Sequence, residues 1–319
     1  MDILRFSPIL KTVVWGGERI APFKGIQTTQ THIGESWELS GVSGNVSVVE
    51  GGPYDGATLD ELIRRFGSRL VGRFAGEAFP LLVKFIDAAG DLSIQVHPDD
   101  ALAARLHGPG FRGKTEMWYV VDAAPGAFLY AGLSQEITPS EYERRVADGT
   151  ITEVLARHAV APGDVFYLPA GRVHAICSGC FIAEIQQSSD LTYRIFDYNR
   201  PGLDGKPREL HTDKAREAID YTVYPTYRTP YRREKNRRVE LVRCPFFTTS
   251  LYEVDAPLTE DLSGLDSFLV VLCVEGSGTV ESDDCRMDFR RGETLLVPAE
   301  NRSLRILPDG PCRLLTTTA

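Results

Sequence analysis

The densest group of side chains that could bind a metal lies in the middle of the chain. In Ser93–His97, strand alternation would place Gln95 and His97 on one face, so that an amide oxygen lies beside an imidazole. Glu116 begins a later apolar stretch, and His174 follows a Pro-Ala-Gly turn. Two histidines, a glutamate and a glutamine suit zinc or another divalent ion of similar chemistry, and an open coordination position would make the site catalytic. The residues alone do not establish that Glu116 meets His97, so an ordinary structural role for each histidine stays open.

A second polar group follows His174 by one strand. Glu184 lies in an apolar strand that ends in a Ser-Ser-Asp turn, and Arg194 comes shortly after it. This order would place a carboxylate and a fixed cation near one end of a sheet. Arginine suits bidentate recognition of a phosphate or an enediolate oxygen. The alternative is a surface turn with a salt-bridged arginine.

The elements that must position these residues are mostly short strands bounded by turn residues. Two helices are expected: one from the capping residue Thr58 to about Leu70, and one that begins at Thr138-Pro139-Ser140-Glu141 and ends at Gly149. Many short strands without alternating helices favour a β-sandwich or barrel. The predicted strands of the first half are Ser47–Glu50, Leu81–Asp87, Ser93–His97, Met117–Asp122, Phe128–Gly132, Asp164–Pro169 and Phe181–Gln187.

An internal repeat indicates two domains. The stretch Gly163–Ala170 leads on to His174, and Gly292–Ala299 leads on to Ser303 with the same spacing. Because the second copy has serine where the first has histidine, we expect the chemistry in the first copy. We therefore divide the chain into a catalytic domain (1–223), a basic linker (224–238) that is interpreted as a solvated connector, and a degenerate second domain (239–319).

Composition narrows the class of protein. The chain has 319 residues and a net charge of −9 (35 Lys and Arg against 44 Asp and Glu), which argues against nucleic-acid binding through a general basic surface. No apolar run reaches the length of a membrane span, and the N-terminus does not read as a signal peptide, so the expected compartment is the cytoplasm. The pair Cys177 and Cys180 has no second CxxC partner, and we interpret it as structural.

The chain resembles the type I mannose-6-phosphate isomerase family in its short bacterial form. The blocks that carry the resemblance occur in family order over about residues 5–215. They are Trp15-Gly16-Gly17, Gly34-Glu35-Ser36-Trp37-Glu38, Phe79-Pro80-Leu81-Leu82-Val83-Lys84, Leu92-Ser93-Ile94-Gln95-Val96-His97-Pro98, Gly113-Lys114-Thr115-Glu116-Met117-Trp118, Pro169-Ala170-Gly171-Arg172-Val173-His174, and Glu184-Ile185-Gln186-Gln187-Ser188-Ser189-Asp190 through Tyr193-Arg194.

The resemblance implies a mainly β protein, a cupin jelly roll used twice in tandem with a few short helices. It implies one Zn²⁺ per chain, and a phosphorylated hexose as substrate. The helical domain that longer members insert between Glu116 and His174 is absent. Carried over by motif, the zinc ligands are Gln95, His97, Glu116 and His174.

The same resemblance implies interconversion of mannose 6-phosphate and fructose 6-phosphate through a cis-enediol. Arg194 takes the position of the family's catalytic arginine. Glu184, Lys114 and a metal-bound water are the candidates for moving the proton, with Glu184 favoured. Ser93, Lys114 and Arg172 are expected to contact the sugar or its phosphate. Two alternatives stay open: a non-catalytic sugar-binding or regulatory cupin, and a cupin metalloenzyme of another type such as a dioxygenase. A monomer or a homodimer is expected, with no nucleic-acid or membrane partner.

Overall fold

Strands dominate the computed structural model, which describes residues 1–283 and 285–319. The strands in chain order are β1 (Leu4–Ser7), β2 (Ile9–Gly17), β3 (Ile33–Ser40), β4 (Val48–Val49), β5 (Leu81–Asp87), β6 (Ile94–Val96), β7 (Glu116–Ala123), β8 (Phe128–Leu133), β9 (Leu155–Ala159), β10 (Val165–Leu168), β11 (His174–Ile176), β12 (Cys180–Gln187), β13 (Tyr193–Phe196), β14 (Arg238–Arg243), β15 (Thr248–Val254), β16 (Leu258–Asp261), β17 (Leu269–Glu275), β18 (Ser277–Ser282), β19 (Cys285–Arg290), β20 (Thr294–Val297), β21 (Ser303–Pro308) and β22 (Cys312–Thr318).

The described helices are short. They are α1 (Ile20–Lys24), α2 (Leu59–Phe66), α3 (Ser68–Val71), α4 (Asp100–His107), α5 (Pro139–Ala147) and α6 (Thr212–Ala218), with single 3₁₀ turns at Gly52–Tyr54, Gly72–Phe74 and Ile151–Val154. Within the described residues, no helix is long and apolar enough to cross a membrane.

The strands form four antiparallel sheets that pack in layers. The six-stranded sheet β10-β7-β12-β5-β3-β2 faces the five-stranded sheet β13-β6-β11-β8-β9 in the first half of the chain. The seven-stranded sheet β14-β15-β22-β17-β20-β1-β4 faces the four-stranded sheet β16-β21-β18-β19 in the second half. The two larger sheets then pack on each other through a third buried cluster. This mainly β arrangement of two sandwiches confirms the predicted fold class.

The six-stranded sheet has apolar side chains on one face and cavity-lining side chains on the other, because successive residues of a strand point to opposite sides. In β5, Val83 and Phe85 enter the cluster between the two large sheets, while Lys84 and Ile86 face the other side, where a cavity lies. In β12, Ile185 enters the same cluster and Glu184 faces the cavity. Because both faces are covered, every residue of β5 is buried. The sheet thus holds polar site residues on a rigid apolar support.

Both predicted helices are present, and their caps explain where they begin. The Thr58 hydroxyl accepts a hydrogen bond from the Glu61 N–H, and the Glu61 carboxylate accepts one from the Thr58 N–H in a complete capping box. Thr138 caps α5 through the same hydroxyl contact. The helix expected to reach Leu70 is interrupted at Gly67, whose positive φ of 51° separates α2 from α3.

Residues from the first half complete a sheet of the second half. Strand β1 pairs with β20, with Leu4 opposite Leu296, and β4 extends the same edge. The segment 224–238 also packs more closely than a solvated connector, which corrects that interpretation in part. Tyr227 is buried and donates a hydrogen bond to the Leu133 carbonyl, whereas Arg228 is exposed and pairs with Asp164. The division into 1–223, 224–238 and 239–319 stays a prediction.

Candidate metal centre and active-site cavity

Three neighbouring strand ends bring the four predicted ligands together. Gln95 lies in β6 and His97 immediately follows that strand, while His174 begins β11 directly opposite Gln95. Glu116 begins β7 in the facing sheet. The Pro-Ala-Gly turn after β10 reverses the chain so that His174 can enter the next strand. The ligands therefore come from both sheets of the first sandwich.

The resulting cluster is compact and buried. His97 Nε2 lies 3.4 Å from one Glu116 carboxylate oxygen, and His174 Nε2 lies 3.3 Å from the other. The amide Nε2 of Gln95 is 3.3 Å from His174 Nε2. Within the described residues, His97, Glu116 and His174 form the one group of three such side chains whose ligand atoms all lie within 4.8 Å of one another.

Backbone carbonyls orient both imidazoles. His97 Nδ1 is 2.8 Å from the Leu191 carbonyl, and His174 Nδ1 is 2.8 Å from the Arg172 carbonyl. A carbonyl can only accept a hydrogen bond, so each Nδ1 carries the proton and each Nε2 presents its lone pair to the cluster. This is the tautomer that binds a metal through Nε2.

The electrostatics of the cluster favour the protonation states that ligands require. Burial, aided by the nearby Lys114 charge, lowers the pKa of His97 to about 3, and burial also lowers the pKa of His174. Burial opposes ionisation of Glu116, but the charge of Lys114, 2.9 Å away, outweighs it and holds the pKa of that carboxyl well below its usual range. The centre thus contains neutral imidazoles and a carboxylate.

The donor set fits a divalent cation. Both carboxylate oxygens of Glu116 are buried and accept no hydrogen bond of normal geometry. Buried polar atoms are rarely left without a partner, and a bound cation would satisfy both oxygens. Two imidazole nitrogens, a Glu116 oxygen and the Gln95 amide oxygen suit zinc and similar ions, with the Gln95 amide turned so that its oxygen replaces the Nε2 that now faces His174. These residues therefore could hold a metal, whose identity the geometry does not specify.

A polar cavity of about 680 Å³, including its open mouth, lies beside the cluster. Among the predicted site residues, it is lined by Ser93, Gln95, Lys114, Glu184 and Arg194. The structure therefore brings together the predicted metal ligands, the candidate acid and base groups and one predicted arginine.

Arg172 is not brought to the cavity. Its guanidinium carbon lies 4.5 Å from the ring centre of Tyr224 and 4.9 Å from that of Tyr227. Cation–π contacts with these two rings hold the side chain away from the metal ligands. Arg172 contributes to the centre only through its backbone carbonyl, which accepts the hydrogen bond from His174 Nδ1. The expected contact between the Arg172 side chain and substrate finds no support in this geometry.

A row of three charged side chains, of which Lys84 and Glu184 are buried and Glu35 is partly exposed, forms one wall of the cavity. Lys84 Nζ lies 3.5 Å from Glu35 and 3.4 Å from Glu184 Oε1. The indole N–H of Trp118 donates to the other oxygen of Glu184 at 2.8 Å. Burial and the negative charge of Glu116 raise the pKa of Glu184, whereas Glu35 has a lowered pKa because Lys84 outweighs the effect of burial. Two carboxylates beside one lysine thus have different proton affinities.

Several cavity residues carry no signal of their own in the sequence. Lys84 and Glu35 lie within the family-like blocks but in apolar strands, where alternation alone does not show that they share a cavity. Arg208 comes from the irregular segment after β13, and nothing in the spacing connects it to the site. The additional charged residues that line the cavity are Glu35, Lys84, Asp190 and Arg208.

Cys177 and Cys180 are buried free thiols, the first in the turn after β11 and the second at the start of β12. Burial raises the pKa of both, that of Cys180 to about 11, which keeps them protonated. Neither belongs to the metal-ligand cluster found among the described residues. Their interpretation as structural residues is consistent with this placement.

The second sandwich repeats the backbone but not the ligands. Strands β20 and β21 begin two and eleven residues after Gly292, as β10 and β11 do after Gly163. Leu168 pairs with Glu116 in the first copy, and the equivalent Val297 pairs with Leu269. His174 pairs with Gln95, and the equivalent Ser303 pairs with Asp261. Buried Leu269 thus stands where the first copy has the candidate ligand Glu116.

The fold and the site together define a tandem cupin with a candidate metal centre in its first copy. Residues 3–113 match the model of the phosphomannose isomerase type I catalytic domain, and residues 238–318 match that of the mannose-6-phosphate isomerase cupin domain.

Relatives and a solved structure agree with these matches. The mannose-6-phosphate isomerase ManA of Bacillus subtilis (strain 168) is 37% identical over 297 residues, which are 92% of each chain. A mannose-6-phosphate isomerase of Streptococcus mutans is 33% identical over 95% of this chain and 94% of its own. The crystal structure of mannose 6-phosphate isomerase from Bacillus subtilis covers 99% of both chains with a TM-score of 0.91 and 31% identity. The chain belongs to the type I phosphomannose isomerase family, which confirms the resemblance found in the sequence.

Proposed function

We propose that this chain is a zinc-dependent aldose–ketose isomerase that interconverts mannose 6-phosphate and fructose 6-phosphate through a cis-enediol(ate). The observation that carries the proposal is the buried His97–Glu116–His174 cluster beside a cavity with both carboxylates and cations. The relatives named as mannose-6-phosphate isomerases along almost the whole chain support the substrate.

The metal would be held by Gln95, His97, Glu116 and His174. A zinc ion bound there would supply Lewis-acid polarisation of the sugar oxygens. His97 and His174 contribute neutral nitrogen donors whose orientation the Leu191 and Arg172 carbonyls fix. One zinc ion per chain follows from the loss of the ligand set in the second copy.

Glu184 is the proposed acid and base. In open-chain mannose 6-phosphate, its carboxylate takes the proton from C2, and the C–H electron pair forms the C1–C2 double bond as the C1 oxygen gains charge. The C2 hydroxyl then gives its proton to the negatively charged C1 oxygen, Glu184 returns its own proton to C1, and C2 becomes the ketone carbon. Glu184 lines the cavity, its Oε1 accepts no hydrogen bond of normal geometry, and the raised pKa of this carboxyl suits a group that must both accept and return a proton.

Cations stabilise the charge that develops on the sugar oxygens. Arg194 lies in β13 beside Gln95 of β6, and its guanidinium lines the cavity without a carboxylate partner among the described ion pairs. A fixed cation placed there would stabilise an enediolate oxygen without reorganisation. Lys114, bound to Glu116, and Ser93 are proposed as contacts to the sugar.

A coupled assay for fructose 6-phosphate tests the proposal. We expect turnover of mannose 6-phosphate by the purified chain, loss of that turnover after chelation, and its return when zinc is added. Binding of the sugar phosphate without turnover would instead support a non-catalytic module. Oxygen consumption without isomerisation would support a dioxygenase.

A further inference from the structure

We propose that Arg208 is a specificity-determining residue that binds the 6-phosphate of the sugar, and that Asp197 is the residue that positions it. The inference rests on the proposed function, which supplies the phosphorylated substrate. It starts from an arginine in the cavity wall that the sequence does not connect to the site.

The distribution of charge in the cavity leaves two arginines for an anion. Lys84 lies between Glu35 and Glu184, and Lys114 lies against Glu116, so carboxylates already balance both lysines. Arg194 forms no carboxylate pair among the described ion pairs and instead donates to the Glu209 carbonyl at 2.8 Å. The remaining cation that lines the cavity is Arg208.

Asp197 holds Arg208 without cancelling the local positive charge. Its two oxygens accept hydrogen bonds from Arg208 Nε at 2.7 Å and Nη2 at 2.5 Å. The same carboxylate also accepts from Arg200 at 2.9 and 3.1 Å. One negative charge thus serves two guanidinium groups, which leaves a net charge of about +1 on these three side chains, or about +2 with Arg194, and Asp190 on the cavity wall lowers that sum by one. A phosphate monoester carries roughly −1.5 to −2 near pH 7.

The pairing of Asp197 with Arg208, here called the clamp, leaves part of the Arg208 guanidinium free. A guanidinium has five N–H donors, and the bidentate contact with Asp197 uses two of them. The free donors belong to a group whose orientation the carboxylate fixes, which favours recognition of phosphate oxygens. Asp197 is almost fully buried, so the clamp is built into the fold rather than formed at the surface.

The position along the cavity agrees with the shape of the substrate. Arg194 lies opposite Gln95, next to the metal ligands, whereas Asp197 comes three residues later along the chain, just past the end of β13. The Glu209 carbonyl that accepts from Arg194 belongs to the residue after Arg208, and both arginines line the same cavity. In a hexose 6-phosphate, the phosphate lies at the opposite end from C1 and C2. With the reacting carbons at the metal centre, the phosphate would reach Arg208.

The test compares Arg208→Met with the wild-type, zinc-loaded enzyme. We expect the KM for mannose 6-phosphate to rise about 10- to 100-fold, the cost of one charge-assisted contact, while kcat changes by less than about threefold. The inhibition constant of inorganic phosphate should rise by a similar factor. Arg208→Lys keeps the charge but loses the bidentate geometry, so its KM and phosphate inhibition constant should lie between those of the wild type and Arg208→Met. This variant supplies the test if Arg208→Met does not fold.

Arg73→Met is the matched control. It removes one positive charge from an arginine–aspartate pair, Arg73 with Asp266 at 2.7 Å, that lies outside the cavity. Its KM and phosphate inhibition should equal those of the wild type. The proposal is overturned if Arg208→Met keeps the wild-type KM and phosphate inhibition, or if Arg73→Met changes them equally.

The two proposals fail in different ways. If the wild-type chain does not isomerise mannose 6-phosphate, the proposed function fails. Calorimetric measurement of inorganic phosphate binding then still tests whether Arg208 forms a phosphate subsite. Weaker phosphate binding by Arg208→Met than by the wild type supports the subsite, and equal binding refutes it.

Discussion

Replacement of Glu184 by glutamine tests which group moves the proton. Glutamine has almost the same shape, and its amide oxygen can still accept the Trp118 hydrogen bond that Glu184 now accepts at 2.8 Å. The change therefore removes the ability to take a proton while the wall of the cavity keeps its packing. Metal content and the midpoint of thermal unfolding should stay near those of the wild type.

The size of the effect follows from the placement of Glu184. Its side chain is buried and lines the cavity, one oxygen is fixed by Trp118, and the other lies 3.4 Å from Lys84 Nζ. A positioned general base contributes about 10²- to 10⁴-fold to the rate. We therefore expect kcat to fall about 10²- to 10⁴-fold, or about 2.7–5.4 kcal/mol of transition-state stabilisation, with little change in KM.

The assay is the steady-state rate of fructose 6-phosphate formation, with mannose 6-phosphate deuterated at C2 as a second substrate. Glu35→Gln is the matched control, because Glu35 also accepts an indole N–H, from Trp37, and also lies beside Lys84. It should lower kcat less than about tenfold and leave the isotope effect unchanged. The assignment of Glu184 is refuted if Glu184→Gln keeps kcat within about threefold of the wild type. It is also refuted if Glu35→Gln lowers kcat as much as Glu184→Gln does.

Three further substitutions and one control separate metal binding, catalysis and stability. His97→Ala should lose bound zinc and activity together. Ser303→Ala, at the position equivalent to His174 in the second copy, is the control and should keep both. Metal analysis that finds zinc retained in His97→Ala would contradict the site. Arg194→Ala should lower kcat about 10²- to 10³-fold with zinc content unchanged, and equal losses of both would make Arg194 structural. Asp197→Asn should lower the free energy of unfolding by about 2 kcal/mol at pH 7, measured by urea denaturation. Burial opposes ionisation of Asp197, but Arg208 and Arg200 hold its pKa below the ordinary 3.8. The stabilisation therefore exists above pH 3.8 and disappears as the pH falls through the lower pKa of the folded state. A difference in unfolding free energy between wild type and Asp197→Asn that stays constant down to about pH 2 would contradict the clamp.

Local signals make part of the fold predictable. The strand predicted at Leu81–Asp87 has the observed bounds, because a continuous run of mostly apolar residues is typical of a strand buried on both faces. Thr58 and Thr138 are recognisable as helix caps because capping depends on residues within one turn. By contrast, α4 follows the cap Asp99, directly after the histidine motif, and no helix is predicted there.

Features that depend on distant contacts are not predictable in this way. Nothing in Leu4–Ser7 indicates that this strand pairs with β20, almost 300 residues later. Arg172 has the residue type and the position expected of a phosphate contact, yet its direction depends on two tyrosines from the segment 224–238. Arg208 escapes prediction for the same reason, because its place in the cavity depends on the Asp197 clamp. The convergence of the predicted metal ligands is the exception, since their strand positions and family motifs agree.

A titration of the metal-depleted chain with zinc tests the central claim most directly. Fructose 6-phosphate formation is measured after each addition, against the number of zinc ions bound per chain. The account predicts almost no activity without metal and a linear return that reaches its plateau at one zinc per chain. Full activity in the metal-free chain, or a plateau only at two zinc ions per chain, would contradict a single catalytic centre in the first cupin.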